Sequence, residues 1–317
     1  YIVQKSQTKY LSQSVFIRLL IGDQNSKGVG LKDGIKSICA GEPNDTIFFT
    51  RVNLIKNSIV GSPFAYWLPE STLSLIKELP PLEGNYGEVR VGLQTGDDFR
   101  YLRNYWEVVD ENKSKSIPDK WKFYTKTDFS SPFFAPMVMV INWENDAIQL
   151  RNFLDKKGKR RSVLRSEEKY GQPGFSYLSR TARIVPFAVP KGCVPMAVRS
   201  QVYSLKEDIL LPFALCLSDV ASAFARIKGG KFANPMFQAG LIQGIPTPPL
   251  EKLEEDEVFL ELNTKFKQVQ KSFTGEEPYL EFSIPAAFQE GTNEGVGDKK
   301  LLSQNLENKI AELYGFN

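Results

Sequence analysis

Residues Gly92 to Arg103 read GLQTGDDFRYLR. The stretch closes a β-rich run, Glu88 to Leu93, then turns sharply at Gly96, where Asp97 is placed to cap the start of a helix. Outward from it, further β-rich runs bounded by Gly, Pro or Asn lie at Val15 to Ile21, Thr46 to Val52, Pro136 to Asn142 and Ala182 to Val189. Helical patterns lie at Glu70 to Glu78 and at Leu205 to Lys228, the latter with Pro212 near its first turn and Gly229-Gly230 at its end. A further amphipathic helix, opened by Glu251, Glu254, Glu255, Asp256 and Glu257, spaces Val258, Leu262, Phe266 and Val269 along one face. Strands and helices do not alternate regularly, so the expected fold class is α+β: a mixed, irregular β-sheet with flanking helices and a C-terminal helical region.

The chain has 317 residues, enough for about two packed units. Its longest apolar run, Leu210 to Leu217, is far shorter than the roughly 20 residues of a membrane-spanning helix and reads as core. The N-terminus, Tyr1-Ile2-Val3-Gln4-Lys5, has neither an initiating Met nor a signal-peptide layout, so the chain reads as cut from something longer and as cytoplasmic. Cys39, Cys193 and Cys216 lack paired spacing, which fits buried thiols in a reducing compartment better than a disulfide framework or a zinc site. There is no histidine. Ser-His-Asp, Cys-His and His-metal chemistries are therefore excluded.

Net charge is +3, but its distribution is uneven. Arg151 to Arg165 carries Arg151, Lys156, Lys157, Lys159, Arg160, Arg161 and Arg165 against the single acid Asp155, an excess larger than that of the whole chain. Such a stretch is either a phosphate-binding patch or a solvated basic hairpin turn around Gly158. A second polar set, Tyr177, Ser179, Arg180, Thr181 and Arg183, lies between the Pro173-Gly174 turn and the following strand, where loop readers of DNA commonly sit.

Catalytic motifs are weak. Gly28-Val29-Gly30 follows a polar stretch rather than a strand and reads as a turn, not as a cradle for S-adenosylmethionine. Thr247-Pro248-Pro249-Leu250 lacks the amide and the aromatic of an Asn-Pro-Pro-Tyr catalytic loop. Pro118-Asp119 and Glu167-Glu168-Lys169 lie too far apart in sequence to make a convincing nuclease metal site. No Walker loop is present.

The element at Gly92 to Arg103 resembles a segment of adenine-specific DNA methyltransferases, namely the PglX-type enzymes of BREX phage-defence systems and their single-chain restriction-modification relatives. In that family a G-L-x-T-G-D-N/D-x-R-F-like element opens the target-recognition domain. Gly61-Ser62-Pro63-Phe64-Ala65-Tyr66-Trp67 is similar to its G-S-P-x-A-Y-W, and Asn142-Trp143-Glu144-Asn145-Asp146 to its N-W-E-N-D-G. Phe237-Gln238-Ala239-Gly240-Leu241-Ile242-Gln243-Gly244-Ile245-Pro246 resembles F-x-V-G-x-I-x-x-L-P, and Leu313-Tyr314-Gly315 the closing L-Y-G. The chain departs at Gly174-Phe175-Ser176-Tyr177, where the family has G-I-T-W, and at Gly192-Cys193-Val194-Pro195-Met196, where it has G-F-I-F-D.

The resemblance implies a division into the tail of a methyltransferase domain (1–60), a target-recognition domain (61–250) and a C-terminal helical segment (251–317). It implies duplex DNA as partner, together with the missing methyltransferase domain. No catalytic residue, metal or cofactor is expected in this chain, S-adenosylmethionine belonging to the parent enzyme. Lys156, Lys157, Lys159, Arg160, Arg161 and Arg165 would grip phosphates. Gln94, Thr95, Asp97 and Arg100 would lie near the groove of the duplex, with Ser179, Arg180 and Arg183 as candidate base readers. The alternative is a docking module without DNA binding, which would use the acidic helix from about Lys252 to Lys271 and the last helix, Leu301 to Tyr314, as its surface. Leu253, Val258, Leu262 and Phe266 would then face a partner instead of an internal core.

Overall fold

A computed structural model describes residues 14–51, 65–108, 119–127, 133–135, 137–206, 209–230, 236–272 and 299–316. The chain forms two compact units, Tyr1–Glu78 and Leu79–Asn317. The first is built on an antiparallel pair, β1 (Ser14–Ile17) and β2 (Ile47–Thr50), joined by helix α1 (Gln24–Ala40) and followed by α2 (Glu70–Glu78). Helix α1 corrects the reading of Gly28-Val29-Gly30 as a turn. The Asp23 carboxylate accepts from the Ser26 amide at 2.8 Å, which caps and starts the helix upstream of the glycines. The missing side chains then permit close packing: a Cβ on Gly30 would lie 3.0 Å from Leu19, and one on Gly34 3.3 Å from Ile17. With this glycine face turned inward, Cys39 is exposed, whereas Cys193 and Cys216 are buried as expected. Tyr66 stacks on Phe16 at 4.4 Å and Trp67 lies under the Arg18 guanidinium at 4.2 Å; Gly61 to Phe64 fall outside the described residues.

The second unit holds β3 (Gly87–Arg90), α3 (Asp98–Tyr101), β4 (Leu102–Asn104), β5 (Trp121–Tyr124), β6 (Phe133–Phe134), β7 (Met139–Asn142), α4 (Glu144–Arg151), β8 (Gly174–Tyr177), β9 (Pro186–Val189) and β10 (Gln201–Ser204). One sheet runs β3-β10-β8-β9-β6, antiparallel except at β6–β9, and a three-stranded antiparallel sheet runs β4-β7-β5. Helices α5 (Leu210–Leu217), α6 (Asp219–Gly229), α7 (Ala239–Gln243), α8 (Glu257–Ser272) and α9 (Lys299–Leu313) complete it. The fold is α+β, with open, mainly antiparallel sheets.

Two readings change. Gly174 to Tyr177 is not part of an exposed loop but an inner strand, all four residues buried, because it pairs on both sides with β9 and β10. The single helix at Leu205 to Lys228 is two helices meeting at 70°. Residues 201–204 are drawn into the sheet, so the first helix begins only at Leu210. Ser218 then adopts extended backbone, donates to the Leu215 carbonyl at 2.8 Å and accepts from the Ala221 amide at 3.1 Å, which caps a second helix. Every residue of α5 is buried, and Phe213 meets Phe133, Phe175 and Phe266 at ring distances of 5.9, 5.4 and 5.3 Å. Among the described residues no single helix is long and apolar enough to cross a membrane.

The C-terminal helices close this core. Leu253, Leu262, Phe266, Leu306 and Ile310 are buried within the unit and Val258 is half-buried, so the apolar face that a docking module would need is already occupied. Tyr314, at the end of α9, is buried and its hydroxyl donates to the Pro246 carbonyl, joining the Phe237 to Pro246 and Leu313 to Gly315 motifs. Tyr314→Phe leaves that carbonyl unpaired and is expected to cost about 1 to 2 kcal/mol of stability, read by urea denaturation; an unchanged midpoint would remove the bond from the fold's support.

Candidate nucleic-acid interface

The Gly92 to Arg103 element and the basic stretch lie side by side. Leu93 is zipped along one edge to 195–197, its amide donating to Pro195 at 2.7 Å and its carbonyl accepting from Ala197 at 2.9 Å. Gln94 pairs with Val163 in both directions at 2.9 Å. Both glycines have steric causes. A Cβ on Gly92 would stand 2.0 Å from the Pro195 carbonyl oxygen; Gly96 has φ +75°, and a Cβ there would stand 2.6 Å from the Arg161 carbonyl oxygen. Beyond Gly96, Asp97 caps α3 by accepting from the Arg100 amide at 3.2 Å. Thr95 donates to the Asp98 carboxylate, which also accepts from Lys126 at 2.6 Å. Burial raises the Asp98 pKa, but the hydrogen bonds from Lys126 and Thr95 outweigh it and hold the carboxyl below its ordinary value.

The basic stretch enters from α4. That element opens with three left-handed residues, Asn145, Asp146 and Ala147 (φ 49°, 56° and 57°), the first two being types that tolerate the conformation. Arg151 secures this turn by donating to the Asp146 carbonyl at 2.8 Å and by ion pairs to Asp146 at 3.1 Å and Glu167 at 2.7 Å. Buried Trp143 packs edge-on to Tyr170 beneath it. The chain then makes a tight loop between the bridged residues Leu154 and Arg160, with Gly158 at φ +74°. The Asp155 carboxylate is spent on this loop, accepting from the Lys157 and Lys159 amides at 2.8 and 2.9 Å.

Among the described residues Asp155 forms no ion pair with the cations around it. Lys156, Lys157, Lys159, Arg160, Arg161 and Arg165 are exposed, and among the described residues none of them forms an ion pair. The guanidinium groups of Arg161 and Arg100 each lie 5.1 Å from the Phe153 ring, which orients both. Between the two segments is an open groove of about 670 Å³, lined by Gln94 to Phe99, Tyr124, Arg161 and 196–198. Asp98, Phe99, Lys126 and Val198 escaped the sequence reading. The pairing of Leu93 with 195–197, which brings Val198 to the groove, joins segments about a hundred residues apart in sequence.

The third expected set lies elsewhere. Ser179, Arg180 and Arg183 do not line the groove. Ser179 is buried, its carbonyl accepting from Phe237 at 2.8 Å; Arg183 donates to the Leu217 carbonyl and faces Asp219 at 3.4 Å; Arg180 is exposed. Among the described residues no three His, Cys, Asp or Glu side chains gather as a metal site requires.

The geometry predicts a contrast between two glycines of like φ. Gly158 has nothing within 4 Å of its Cβ position, so Gly158→Ala is expected to cost about 1 kcal/mol, whereas Gly96→Ala adds a collision with backbone and should cost about 2 to 4 kcal/mol. Urea denaturation measures both, and equal losses would show that the approach to Arg161 constrains nothing. For Asp98, a depressed pKa means stability present above the ordinary carboxylate value and lost as pH falls through the folded one. Melting temperature should accordingly fall more steeply below about pH 4 in the wild type than in Asp98→Asn.

No family model matches the chain. It is 27% identical over 130 residues to the adenine-specific methyltransferase PglX of Lacticaseibacillus casei (strain Zhang), a match covering 37% of this chain and 10% of that protein. It is 28% identical over 172 residues to the adenine-specific methyltransferase BrxX of Escherichia coli O9:H4 (strain HS), covering 50% of this chain and 13% of that protein. A solved structure of the type IIL restriction-modification enzyme MmeI in complex with DNA aligns with 75% of this chain and 34% of that chain, at a TM-score of 0.47 and 13% identity. The matched segments thus span only 10% and 13% of the two methyltransferases. Within that span, the chain is similar to a region of the adenine-specific methyltransferases PglX and BrxX.

Proposed function

We propose that this chain is the target-recognition part of an N6-adenine DNA methyltransferase of a phage-defence or restriction-modification system, and that it binds duplex DNA with sequence preference. The observation that carries the reading is the exposed basic loop, without ion pairs among the described residues, held against the Gly92 to Arg103 groove. An exposed cluster of cations of this kind is an arrangement that releases condensed counterions from phosphates. The likeness to two adenine-specific methyltransferases supports the enzyme class.

In this proposal Lys156, Lys157, Lys159, Arg160, Arg161 and Arg165 contact phosphates and set register. Gln94 and Arg100 face the base edges, while Thr95 and Asp97 keep the turn in shape. Arg180 reaches the duplex from the second loop, where Ser179 and Arg183 act as supports. Gly28-Val29-Gly30 lies within α1, not in a strand-to-helix turn of the kind that cradles S-adenosylmethionine. The methyl donor and the chemistry are assigned to the enzyme's catalytic part.

The test is fluorescence anisotropy with a random-sequence duplex library across a salt series, followed by sequencing of the retained fraction. Salt-sensitive binding with an enriched motif is expected. Replacing Lys159, Arg160 and Arg161 together by Ala should weaken binding to all sequences and flatten the slope of log K against log salt by about 3. An unchanged slope would take the loop out of the interface.

A further inference from the structure

Phe99 is 95% exposed, more than any other large apolar side chain among the described residues of the second unit. It is not a loose surface residue. Helix α3 is capped by Asp97 and tied through Asp98 to Thr95 and Lys126; Tyr101, 1% exposed, anchors it in the core; and the Phe99 carbonyl accepts from Arg103 at 2.8 Å. The backbone on either side of the ring is therefore fixed while the ring itself meets solvent. Val198, 54% exposed, lines the same groove, so its rim carries two exposed apolar side chains. Around them stand cations: Arg100 and Arg161 oriented by Phe153, with the basic loop beyond.

We propose that Phe99 is a wedge that enters between neighbouring base pairs of the bound duplex and partly unstacks them. This rests on the DNA-recognition reading above and adds to it a base-step contact that deforms the duplex. A rigid apolar side chain beside a cluster of cations matches a duplex in two respects: Arg161 and the basic loop hold the phosphates, and the ring replaces the stacking contact that it breaks. An apolar pocket on a protein would also accept a phenyl ring, but the exposed cations of the neighbouring basic loop favour a polyanion. Wedging gives sequence preference without hydrogen bonds to bases, since flexible pyrimidine-purine steps open most easily.

The experiment uses the duplex enriched in the selection above, with 2-aminopurine placed at successive positions, and compares the wild-type chain with Phe99→Ala and Phe99→Leu, folding being checked by circular dichroism. On binding, the wild type should brighten 2-aminopurine at one step. Phe99→Ala should bind about 5- to 100-fold more weakly without brightening, and with an unchanged salt slope because no phosphate contact is lost. Phe99→Leu, still an apolar wedge, should restore the brightening. If the wild type binds but brightens no position, or Phe99→Ala brightens the probe as the wild type does, the wedge is overturned and DNA recognition stands. If the wild type binds no duplex even at low salt, both fall.

Discussion

Two backbone contacts that tolerate no side chain hold the candidate interface together. Gly92 lies against the Pro195 carbonyl and Gly96 against that of Arg161, so one short element is pressed between segments far away in sequence on either side. The ladder of hydrogen bonds from Leu93 and Gln94 exists only because the chains approach that closely. Around this junction the second core forms: Leu93, Tyr101, Leu102, Tyr124, Ile141, Trp143, Leu150 and Val194 are all buried in it. Burial of this kind stabilises by roughly 1.5 to 3 kcal/mol per large side chain, which is what keeps the groove and the basic loop in register.

Electrostatics follows from that architecture. Within one basic stretch, Arg151 is neutralised by Asp146 and Glu167 and has a structural role, holding a left-handed turn closed. A few residues on, Asp155 turns its carboxylate to the Lys157 and Lys159 amides, and the lysines and arginines beside it form no ion pair among the described residues. Composition sees the same residue types in both places. The difference between a structural cation and a ligand-facing one lies in where the nearest carboxylate is aimed.

The larger sheet has a different task. Its inner strand, Gly174 to Tyr177, is flanked by β9 and β10, and the fully apolar helix α5 lies over this core with Phe213 at the centre of an aromatic cluster. The C-terminal helices cap it, and the buried Tyr314 hydroxyl ties the end of the chain to Pro246. Glu307, on α9, accepts from the Asp219 and Val220 amides at the start of α6, so the last helix also caps the helix it packs on. This arrangement buries Leu253, Leu262 and Phe266, the described core of the apolar face of the acidic helix, inside the unit.

By itself the sequence determined the α+β class, helix α2 to the residue, the Asp97 cap and turn at Gly96, the basic loop around Gly158 and the C-terminal helices. Each of these rests on local chemistry: hydrophobic period, capping side chains, glycine where φ is positive. The sequence also marked the family resemblance, through motifs of which two glycines, Gly92 and Gly96, prove to stand at close backbone approaches. Tertiary structure decided the rest. Gly174 to Tyr177 is too short and too mixed to declare itself a strand, and becomes one because β9 and β10 supply partners on both sides. The break at Ser218 was written in a Ser-Asp pair, yet an unbroken apolar pattern on both sides hid it. The groove belongs wholly to the fold, for its walls come from Gln94 to Phe99, Arg161 and 196–198, and only backbone hydrogen bonding between distant segments brings them together.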